Sequence, residues 1–344
     1  CDDSVLSCTP INTNLIRRAR GFVPQGIRLP ENHRQKTVLA VGGDLKNTFC
    51  ITRGNEAFLS QHWGDLGNYN NYLNFTEGIE RFQNMLKVTP AVIAHDMHPD
   101  YQSTRWAMQQ YHLPRLAVQH HHAHMASAMA ENGLQGKTIG LICDGTGWGT
   151  DGAVWGGEVL LGDYRGFERM AHLAYMPLPG GDLTAKKPYR MAFIHLYQTM
   201  GERALEYARK WLPELSQPEA DIIINRLRRG ERLVTSSCGR FFDAVSAILG
   251  VCQINRYEGQ AAMELEAIAK ADEAGVYPVQ VKNQPGGFIM EVNSIWQSII
   301  DELEGGVAPA TIAARFHNSL AALFIETIRR VAEYSGIDQV VLSG

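Results

Sequence analysis

Two stretches of the chain share one pattern: KTVLAVGGDLKNTFCI at residues 36–51 and KTIGLICDGTGWGTDGAVWGG at residues 137–157. Each runs Lys-Thr, an apolar strand, a polar turn rich in glycine and then a second strand. A pattern that opens both halves of a chain indicates that one α/β unit occurs twice. We therefore predict an α/β protein of two lobes, at residues 31–136 and 137–344.

Length and composition limit the class of protein. The 344 residues are 45% hydrophobic, which is enough to bury a substantial core. The formal net charge is −4 and no basic stripe is present, so stable binding of nucleic acid is not expected. The sequence has no apolar run long enough for a membrane helix, no signal-peptide pattern and no CxxC pair among its six cysteines. These features predict a cytoplasmic protein that does not enter a membrane.

Hydrophobic periodicity predicts further strands and helices around the two repeats. In chain order these are a helix at residues 76–88, a strand at 91–96, a helix at 103–111, a buried strand at 115–119, a helix-rich stretch at 188–274, a long helix at 310–334 and a strand at 338–344. Residues 1–30 are too short to fold alone and are predicted to be the end of a preceding segment.

Four histidines lie together at the start of one predicted helix, in VQHHHAHMASAMA at residues 118–130. Residues four apart share a helix face, so His120 and His124 can converge on one metal ion. His121 and His122 would then point elsewhere. Two ligands do not complete a metal site, and a polar first turn or hydrogen-bonded core histidines would explain the same pattern.

The glycine-rich turns are candidate phosphate sites. The turn predicted after the second-half strand contains Asp144, Gly145, Thr146 and Gly147, and glycines allow backbone N–H groups to approach a phosphate closely. Asp144 would repel a bare phosphate, so it is better suited to water, a cation or a donor-bearing group. VGGDLKNT, at residues 41–48, makes a matching turn. Neither turn fits the Walker or dinucleotide pattern, and two ordinary hairpin turns are the alternative.

Two later helices begin at glycine-containing segments, SSCGRFFDAVSAILG at residues 236–250 and RYEGQAAMELEAIA at residues 256–269. Asp243 lies among apolar neighbours in the first helix, where it either accepts from ribose hydroxyls or faces solvent. Glu258 and Gly259 stand at the start of the second helix. The first helix is therefore a candidate for contacting the ribose of a nucleotide.

Together these motifs resemble the C-terminal transferase module of the HypF family of hydrogenase-maturation carbamoyltransferases, to which the tRNA threonylcarbamoyl transferases are related. The resemblance implies an actin-like, Hsp70-like (ASKHA) fold of two lobes, built from a duplicated α/β unit with a helical insertion in the second half. It also implies that residues 1–30 are the tail and linker of a preceding YrdC-like module that forms carbamoyl-adenylate, and that the second lobe is truncated at its C-terminus. The motifs are AVGGDLKNTF, LSQHWGDLGN, AHDMHPDYQSTRWA, VQHHHAHMA, CDGTGWGTDGAVWGGE, SSCGRFFDAVSAILG and YEGQAAMELE.

The same resemblance assigns roles to residues. It implies that His120 and His124 bind an iron or zinc ion, with a further aspartate ligand expected beyond Gly344. It implies that residues 144–147 hold the acyl-adenylate and that Asp243 contacts the ribose. We assign Lys46 and Asp144 as catalytic candidates. The nucleotide-binding candidates are Gly42, Gly43, Asp144, Gly145, Thr146, Gly147, Asp243, Glu258 and Gly259.

The implied reaction moves a carbamoyl group from carbamoyl-adenylate, made from carbamoyl phosphate and ATP, to the C-terminal cysteine thiolate of a partner dehydratase, HypE. The partner would then convert it to a cyanide ligand for nickel–iron hydrogenase. A thiolate from outside accounts for the lack of a Ser-His-Asp or Cys-His pattern in the sequence. Three other functions stay open. They are an actin-like kinase or ATPase, a small-molecule O-carbamoyltransferase of the antibiotic-tailoring type, and a non-catalytic nucleotide-binding scaffold.

Overall fold

The computed structural model describes residues 3–8, 13–30 and 36–344. The chain divides into two compact units, Cys1–Gln135 and Gly136–Gly344, each with a hydrophobic core of its own. The boundary predicted from the sequence, between residues 136 and 137, lies one residue away. Residues 31–35, which belong to the predicted linker and the start of the first lobe, lie outside the described residues.

The described part of the first unit contains a six-stranded sheet, a separate two-stranded hairpin and three helices. The elements in chain order are β1 (Val5–Cys8), β2 (Thr13–Arg17), β3 (Ile27–Arg28), β4 (Val38–Ala40), β5 (Cys50–Arg53), β6 (Glu56–Leu59), α1 (Tyr69–Leu86), β7 (Val92–Asp96), α2 (Gln102–Gln109), β8 (Arg115–Val118) and α3 (His120–Glu131). Strands β1 and β2 form the hairpin. Strand β3 pairs with β6, so part of the segment predicted to precede the first lobe joins its sheet.

The topology of the six-stranded sheet determines where a site can form. Its strand order is β3-β6-β5-β4-β7-β8. The pairs from β3 to β4 are antiparallel, whereas β7 is parallel to β4 and β8 is parallel to β7. Parallel neighbours need crossover connections, and α1 and α2 lie in these connections. The carboxyl ends of β4, β7 and β8 therefore share one edge, where α/β sheets bind their ligands.

The second unit contains an eight-stranded sheet and eight α-helices. The elements in chain order are β9 (Thr138–Trp148), β10 (Val154–Asp163), β11 (Gly166–Leu173), β12 (Met176–Pro177), α4 (Asp182–Lys186), α5 (Pro188–Met200), α6 (Ala204–Trp211), α7 (Gln217–Arg228), β13 (Val234–Thr235), α8 (Cys238–Ile248), α9 (Gln260–Ile268), β14 (Gln280–Gln284), β15 (Gly287–Glu291), α10 (Asn293–Glu304), α11 (Pro309–Ser335) and β16 (Val340–Ser343).

Both units contain the same strand arrangement. In the first unit, β6, β5 and β4 are antiparallel neighbours, and β7 pairs in parallel with the other side of β4. In the second unit, β11, β10 and β9 are antiparallel neighbours, and β16 pairs in parallel with the other side of β9. Helices α4 to α9 lie between β11 and β15 in the chain. The predicted duplication and the predicted helical insertion in the second half are both confirmed.

Helix α1 begins earlier than the sequence pattern predicts. It starts at Tyr69 rather than at residue 76, because Asn68 caps it by accepting the backbone N–H groups of Asn70 and Asn71. The first buried side chain of the helix is Phe75. The first turn carries no apolar periodicity, so hydrophobic spacing alone places the start one to two turns too late.

The predicted burial of the strand at residues 115–119 is wrong. The segment does form a strand, β8, but Leu116 within it is 59% exposed. Strand β8 is the last in the sheet order and pairs only with β7 among the described strands. A short apolar run is typical of a central parallel strand, and here it lies at the edge of the sheet.

Helix α11 closely matches the helix predicted at residues 310–334. Its buried residues Ile312, Phe316, Leu320 and Leu323 recur at three- and four-residue spacing, so they form one face. The helix packs against β9, β14 and β15. Among the described residues, no helix is both long enough and apolar enough to span a membrane.

Candidate active site

The start of α3 is fixed by Gln119, the residue that precedes it. The Gln119 side chain accepts the backbone N–H of His122 at 2.9 Å, and its Nε2 lies 3.0 Å from Nδ1 of His121. His121 is completely buried, whereas His120 and His124 are half-buried. The cap therefore directs His121 towards the core and places the two predicted ligands together on a neighbouring face of the helix.

His120 and His124 form a pair with the geometry of metal ligands. Their ring centroids are 4.9 Å apart, and one ring nitrogen of each lies within 4.8 Å of the other. Nδ1 of His120 lies 2.7 Å from Oδ2 of Asp96, at the end of β7. A carboxylate on one ring nitrogen fixes the imidazole tautomer and directs the other nitrogen to a metal. Nε2 is therefore the nitrogen through which His120 can act as a ligand.

Asp96 is itself held in place. Its carboxylate is nearly buried, and its second oxygen accepts the backbone N–H of His98 at 2.8 Å. The backbone carbonyl of Asp96 accepts the hydroxyl of Thr104, on α2, at 3.1 Å. Asp96 was not among the site residues predicted from the sequence, although it is a charged residue at the carboxyl end of a predicted strand.

The role of Asp96 can be tested by a nearly isosteric change. We expect Asp96→Asn to lower metal affinity about 10- to 100-fold, since the amide lacks the negative charge that orients the His120 ring. Competitive titration with a metal-binding dye measures the change. Asp100→Asn is the matched control, because Asp100 makes an exposed ion pair with Arg105. Equal metal affinity in the two variants would contradict the orienting role.

The turn after β4 lies beside the histidine pair. Gly42 has a φ of +71°, and a Cβ at this position would overlap the carbonyl oxygen of Thr48, so only glycine fits. A Cβ on Gly43 would lie 3.8 Å from the His120 ring. Lys46 is exposed on the same turn. The structure thus brings Gly43 to His120 and places the catalytic candidate Lys46 at the surface.

Asp44 anchors this turn to α2 and was missed by the sequence analysis. Its carboxylate accepts the backbone N–H groups of Gln102 at 2.6 Å and Ser103 at 3.0 Å, which are the first two residues of the helix. A carboxylate at a helix N-terminus satisfies backbone donors that lack partners within the helix. The Ser103 hydroxyl in turn donates to the carbonyl of Gly42 at 2.9 Å.

The prediction of a turn at residues 144–147 is wrong. These residues lie within strand β9, where residues 144–146 form a bulge. Strand β9 continues to Trp148, and the hairpin turns at residues 149–153. Cys143 pairs with Gly157 and Gly147 pairs with Trp155, so residues 144–146 lie opposite Gly156 alone. Glycine and aspartate are typical of turns, but pairing with β10 keeps this segment in the sheet. Such bulges redirect side chains next to functional sites.

Helix α8 packs its first turn onto this bulge. Ser237 caps the helix by accepting the backbone N–H of Arg240 at 3.0 Å, and its hydroxyl donates to the carbonyl of Gly145 at 2.6 Å. A Cβ on Gly239 would lie 3.0 Å from Cα of Gly145. The bulge therefore lies against a helix N-terminus, whose backbone N–H groups and dipole favour a phosphate.

Of the two glycines in this segment, Gly145 has open space beside it and Gly147 does not. A Cβ on Gly145 would meet no atom within 4 Å, whereas Gly147 is buried and paired with Trp155. Asp144 and Thr146 are half-buried. Gly145 is therefore the bulge residue at which a bound molecule could approach the backbone closely.

Asp243 lies on α8 and does not face solvent. It is 2% exposed, its Oδ2 lies 2.7 Å from Nε of Arg240, and Asn255 donates to its Oδ1 at 3.3 Å. Burial raises the pKa of the Asp243 carboxyl, and the Arg240 guanidinium opposes this shift. Asn255 also accepts the backbone N–H of Ala261, in the first turn of α9. Asn255, which the sequence analysis missed, thus connects Asp243 to α9.

Glu258 and Gly259 lie at the start of α9. Gly259 precedes the helix with a φ of +78°, a conformation that favours glycine, and Glu258 is exposed. The Asn255 bridge places this helix start next to the helix that carries Asp243.

Comparisons with known proteins agree with this architecture. The protein-family model described as the HypF Kae1-like domain matches residues 33–131. The model of the second subdomain of the carbamoyltransferase Kae1-like domain matches residues 140–344. The two matches divide near the boundary between the structural units.

Relatives and solved structures give the same assignment. "Carbamoyltransferase HypF2" of Cupriavidus necator is 38% identical over the whole chain, which spans 45% of that protein. A "Carbamoyltransferase HypF homolog" of the same organism is 36% identical over 92% of the chain, which covers 82% of that shorter relative. A full-length HypF crystal structure in the phosphate- and nucleotide-bound form superposes on the whole chain with a TM-score of 0.93 at 42% identity, and the chain covers 44% of it. The predicted actin-like fold is thus that of the Kae1-like domain, and the chain belongs to the HypF family of carbamoyltransferases.

Proposed function

We propose that this chain transfers a carbamoyl group from carbamoyl-adenylate to the C-terminal cysteine thiolate of a partner maturation protein, a dehydratase of the HypE type. The family membership of the chain supports carbamoyl transfer. The observation that carries the proposal is His120, oriented by Asp96 and one helical turn before His124. The acceptor and the later cyanide chemistry rest on the family resemblance.

An iron or zinc ion fits the histidine pair. Two half-buried imidazoles on one helix face, one of them oriented by a carboxylate, are a donor set that suits either metal. A third ligand has to come from elsewhere in the protein. Bound at His120 and His124, the ion would act as a Lewis acid that polarises the carbamoyl group.

The phosphate of the adenylate is assigned to the glycine-rich segments of the chain. In the second unit, Gly145 and the start of α8 offer space and backbone N–H groups for the phosphate. In the first unit, Gly42 and Gly43 are the nucleotide-binding candidates, and Lys46 is the catalytic candidate.

The remaining candidates suit the rest of the donor. The carboxylate of Asp144 can accept a hydrogen bond from the carbamoyl NH₂ group. Asp243 is assigned to the ribose, and Glu258 and Gly259 to the adenosine. Thr146 and Gly147, which follow Gly145 in β9, are the remaining candidates for binding the acyl-adenylate. Together these groups would bind carbamoyl-adenylate and orient its carbamoyl carbon.

The transfer step needs no nucleophile from this chain. The partner's thiolate attacks the carbamoyl carbon, a C–S bond forms, and the C–O bond to the phosphate breaks. AMP leaves with the bonding electron pair and needs no proton. Two of the chain's thiols, those of Cys50 and Cys238, are poor alternatives. Burial raises the pKa of the half-buried Cys50 thiol to about 12. Contact with Cys143, together with burial, raises the pKa of Cys238 well above its usual value.

Labelling can test the acceptor. With the protein in its full-length context, radiolabelled carbamoyl-adenylate should label the partner's C-terminal cysteine and should not label a partner that lacks this cysteine. The rate should rise with pH until the acceptor thiol is deprotonated, because only the thiolate attacks. Cys143→Ser should leave labelling almost unchanged.

Other outcomes point to other mechanisms. Label accumulating covalently on Cys143 would replace direct transfer by a two-step mechanism. Label on a sugar hydroxyl and never on the thiol would favour the small-molecule O-carbamoyltransferase. Nucleotide hydrolysis without carbamoyl transfer to any acceptor would favour the kinase or ATPase.

A further inference from the structure

A fully buried acid lies directly behind the bulge. Glu158, on β10, has no exposed surface, and a buried carboxylate has to be paired and hydrogen-bonded to remain charged. Its Oε2 lies 2.6 Å from Nε of Arg169. Its Oε1 accepts the backbone N–H groups of Gly156 at 3.1 Å and Gly157 at 3.2 Å, and the hydroxyl of Ser236 at 2.5 Å.

Two of these partners, Gly156 and Ser236, adjoin residues of the candidate phosphate site. Gly156 is the single residue opposite the bulge, and a Cβ there would overlap the carbonyl oxygen of Asp144. Ser236 directly precedes Ser237, whose hydroxyl donates to the carbonyl of Gly145. One carboxylate oxygen of Glu158 thus accepts hydrogen bonds both from β10, opposite the bulge, and from the segment that leads into α8.

Arg169 extends this network to the end of the hairpin. Its guanidinium donates to Ser236 and to Asp151, both at 3.1 Å, and lies 3.9 Å from the ring centroid of Trp155. Asp151 lies in the turn that follows the bulge and accepts Nε1–H of Trp155 at 2.8 Å. The arginine therefore neutralises the buried acid and connects it to the strand and turn on either side of the bulge.

We propose that Glu158 is a positioning residue for the nucleotide. It holds Gly156 and Ser236 so that the bulge at residues 144–146 and the N-terminus of α8 together bind the adenylate phosphate. Glu158 is buried behind this surface, so it acts through its partners rather than by contact. The inference rests on the proposed role of the bulge in nucleotide binding.

Glutamine cannot replace this acid. One carboxylate oxygen accepts three donors and the other accepts the Arg169 guanidinium. The amide of Glu158→Gln would place an NH₂ group against either Arg169 or the two glycine N–H groups. Either orientation puts donor against donor, so one side of the network must move.

We expect Glu158→Gln to weaken binding of AMP about tenfold, measured by calorimetry on the 344-residue chain. KM for carbamoyl-adenylate should rise similarly while kcat changes less than twofold, and metal content should stay the same. Glu168→Gln is the matched control, because Glu168 is exposed on the neighbouring strand and should leave all of these unchanged. If Glu158→Gln does not fold, Ser236→Ala should also raise KM and leave kcat nearly unchanged, because it removes two hydrogen bonds of the network, one to Glu158 and one from Arg169.

The outcomes separate this inference from the proposed function. Unchanged AMP affinity and KM in a folded Glu158→Gln variant, with only a lower melting temperature, would overturn the positioning role alone. Equal losses of kcat and metal would also overturn it. If the unchanged protein failed to bind AMP, the proposed nucleotide site would fall and this inference with it.

Discussion

Replacing His124 with alanine should lower metal affinity by more than about 100-fold while α3 remains folded. Loss of a direct ligand should cost more than loss of a supporting hydrogen bond, which typically costs 10- to 100-fold. The helix should persist because alanine has the highest helix propensity and the cap at Gln119 is untouched. Elemental analysis after dialysis measures the metal, and circular dichroism measures the fold. Carbamoyl transfer should fall with metal content.

A control for this prediction lies on the same helix. His122→Ala retains the backbone N–H that Gln119 accepts and should retain the metal. The double variant His120→Ala/His124→Ala should contain no metal. Full stoichiometric metal in the double variant would show that the assignment of this pair is wrong.

Gly145→Val should weaken AMP binding by at least about tenfold without unfolding the protein. The added Cβ meets no atom within 4 Å, so the fold has room for it, and valine suits a strand. The same side chain would fill the space that the proposal assigns to the phosphate. Calorimetric titration of the chain with AMP measures the loss.

Gly166→Val is the matched control for Gly145→Val, since Gly166 also has open space around an added Cβ and lies at the far end of the β10–β11 hairpin. Equal AMP affinity in both variants would remove the bulge from the nucleotide site. Gly156→Ala provides a contrast, because its Cβ would overlap the carbonyl oxygen of Asp144 and should destabilise the fold itself.

The fold could be predicted where signals are local and repeated. The Lys-Thr strand pattern occurs twice, and the strand order of both units matches that repeat. The bulge could not be predicted in the same way. The sequence of residues 144–149 is typical of a turn, and only pairing with β10, which depends on register, keeps it in the strand.

In the candidate site, too, local features could be predicted from the sequence and long-range contacts could not. The spacing of His120 and His124 is a property of one helix and is visible in the sequence. The contact between His120 and Asp96 spans 24 residues and depends on the parallel pairing of β7 with β8. Glu158 was visible as one acid within the apolar run VWGGEVLLG. Its partner Arg169 follows only from the register of β10 against β11.

The pairing of β9 has a consequence for the order of folding. On one side β9 pairs with β10 in a hairpin, a local contact that can form early. On its other side, Ile139–Ile142 pair with Val340–Ser343 of β16, so this contact joins segments about 200 residues apart in sequence. During synthesis β9 emerges long before β16, and all eight helices of the second unit are made in between. The pairing of β9 with β16 is therefore among the last contacts of this unit to form.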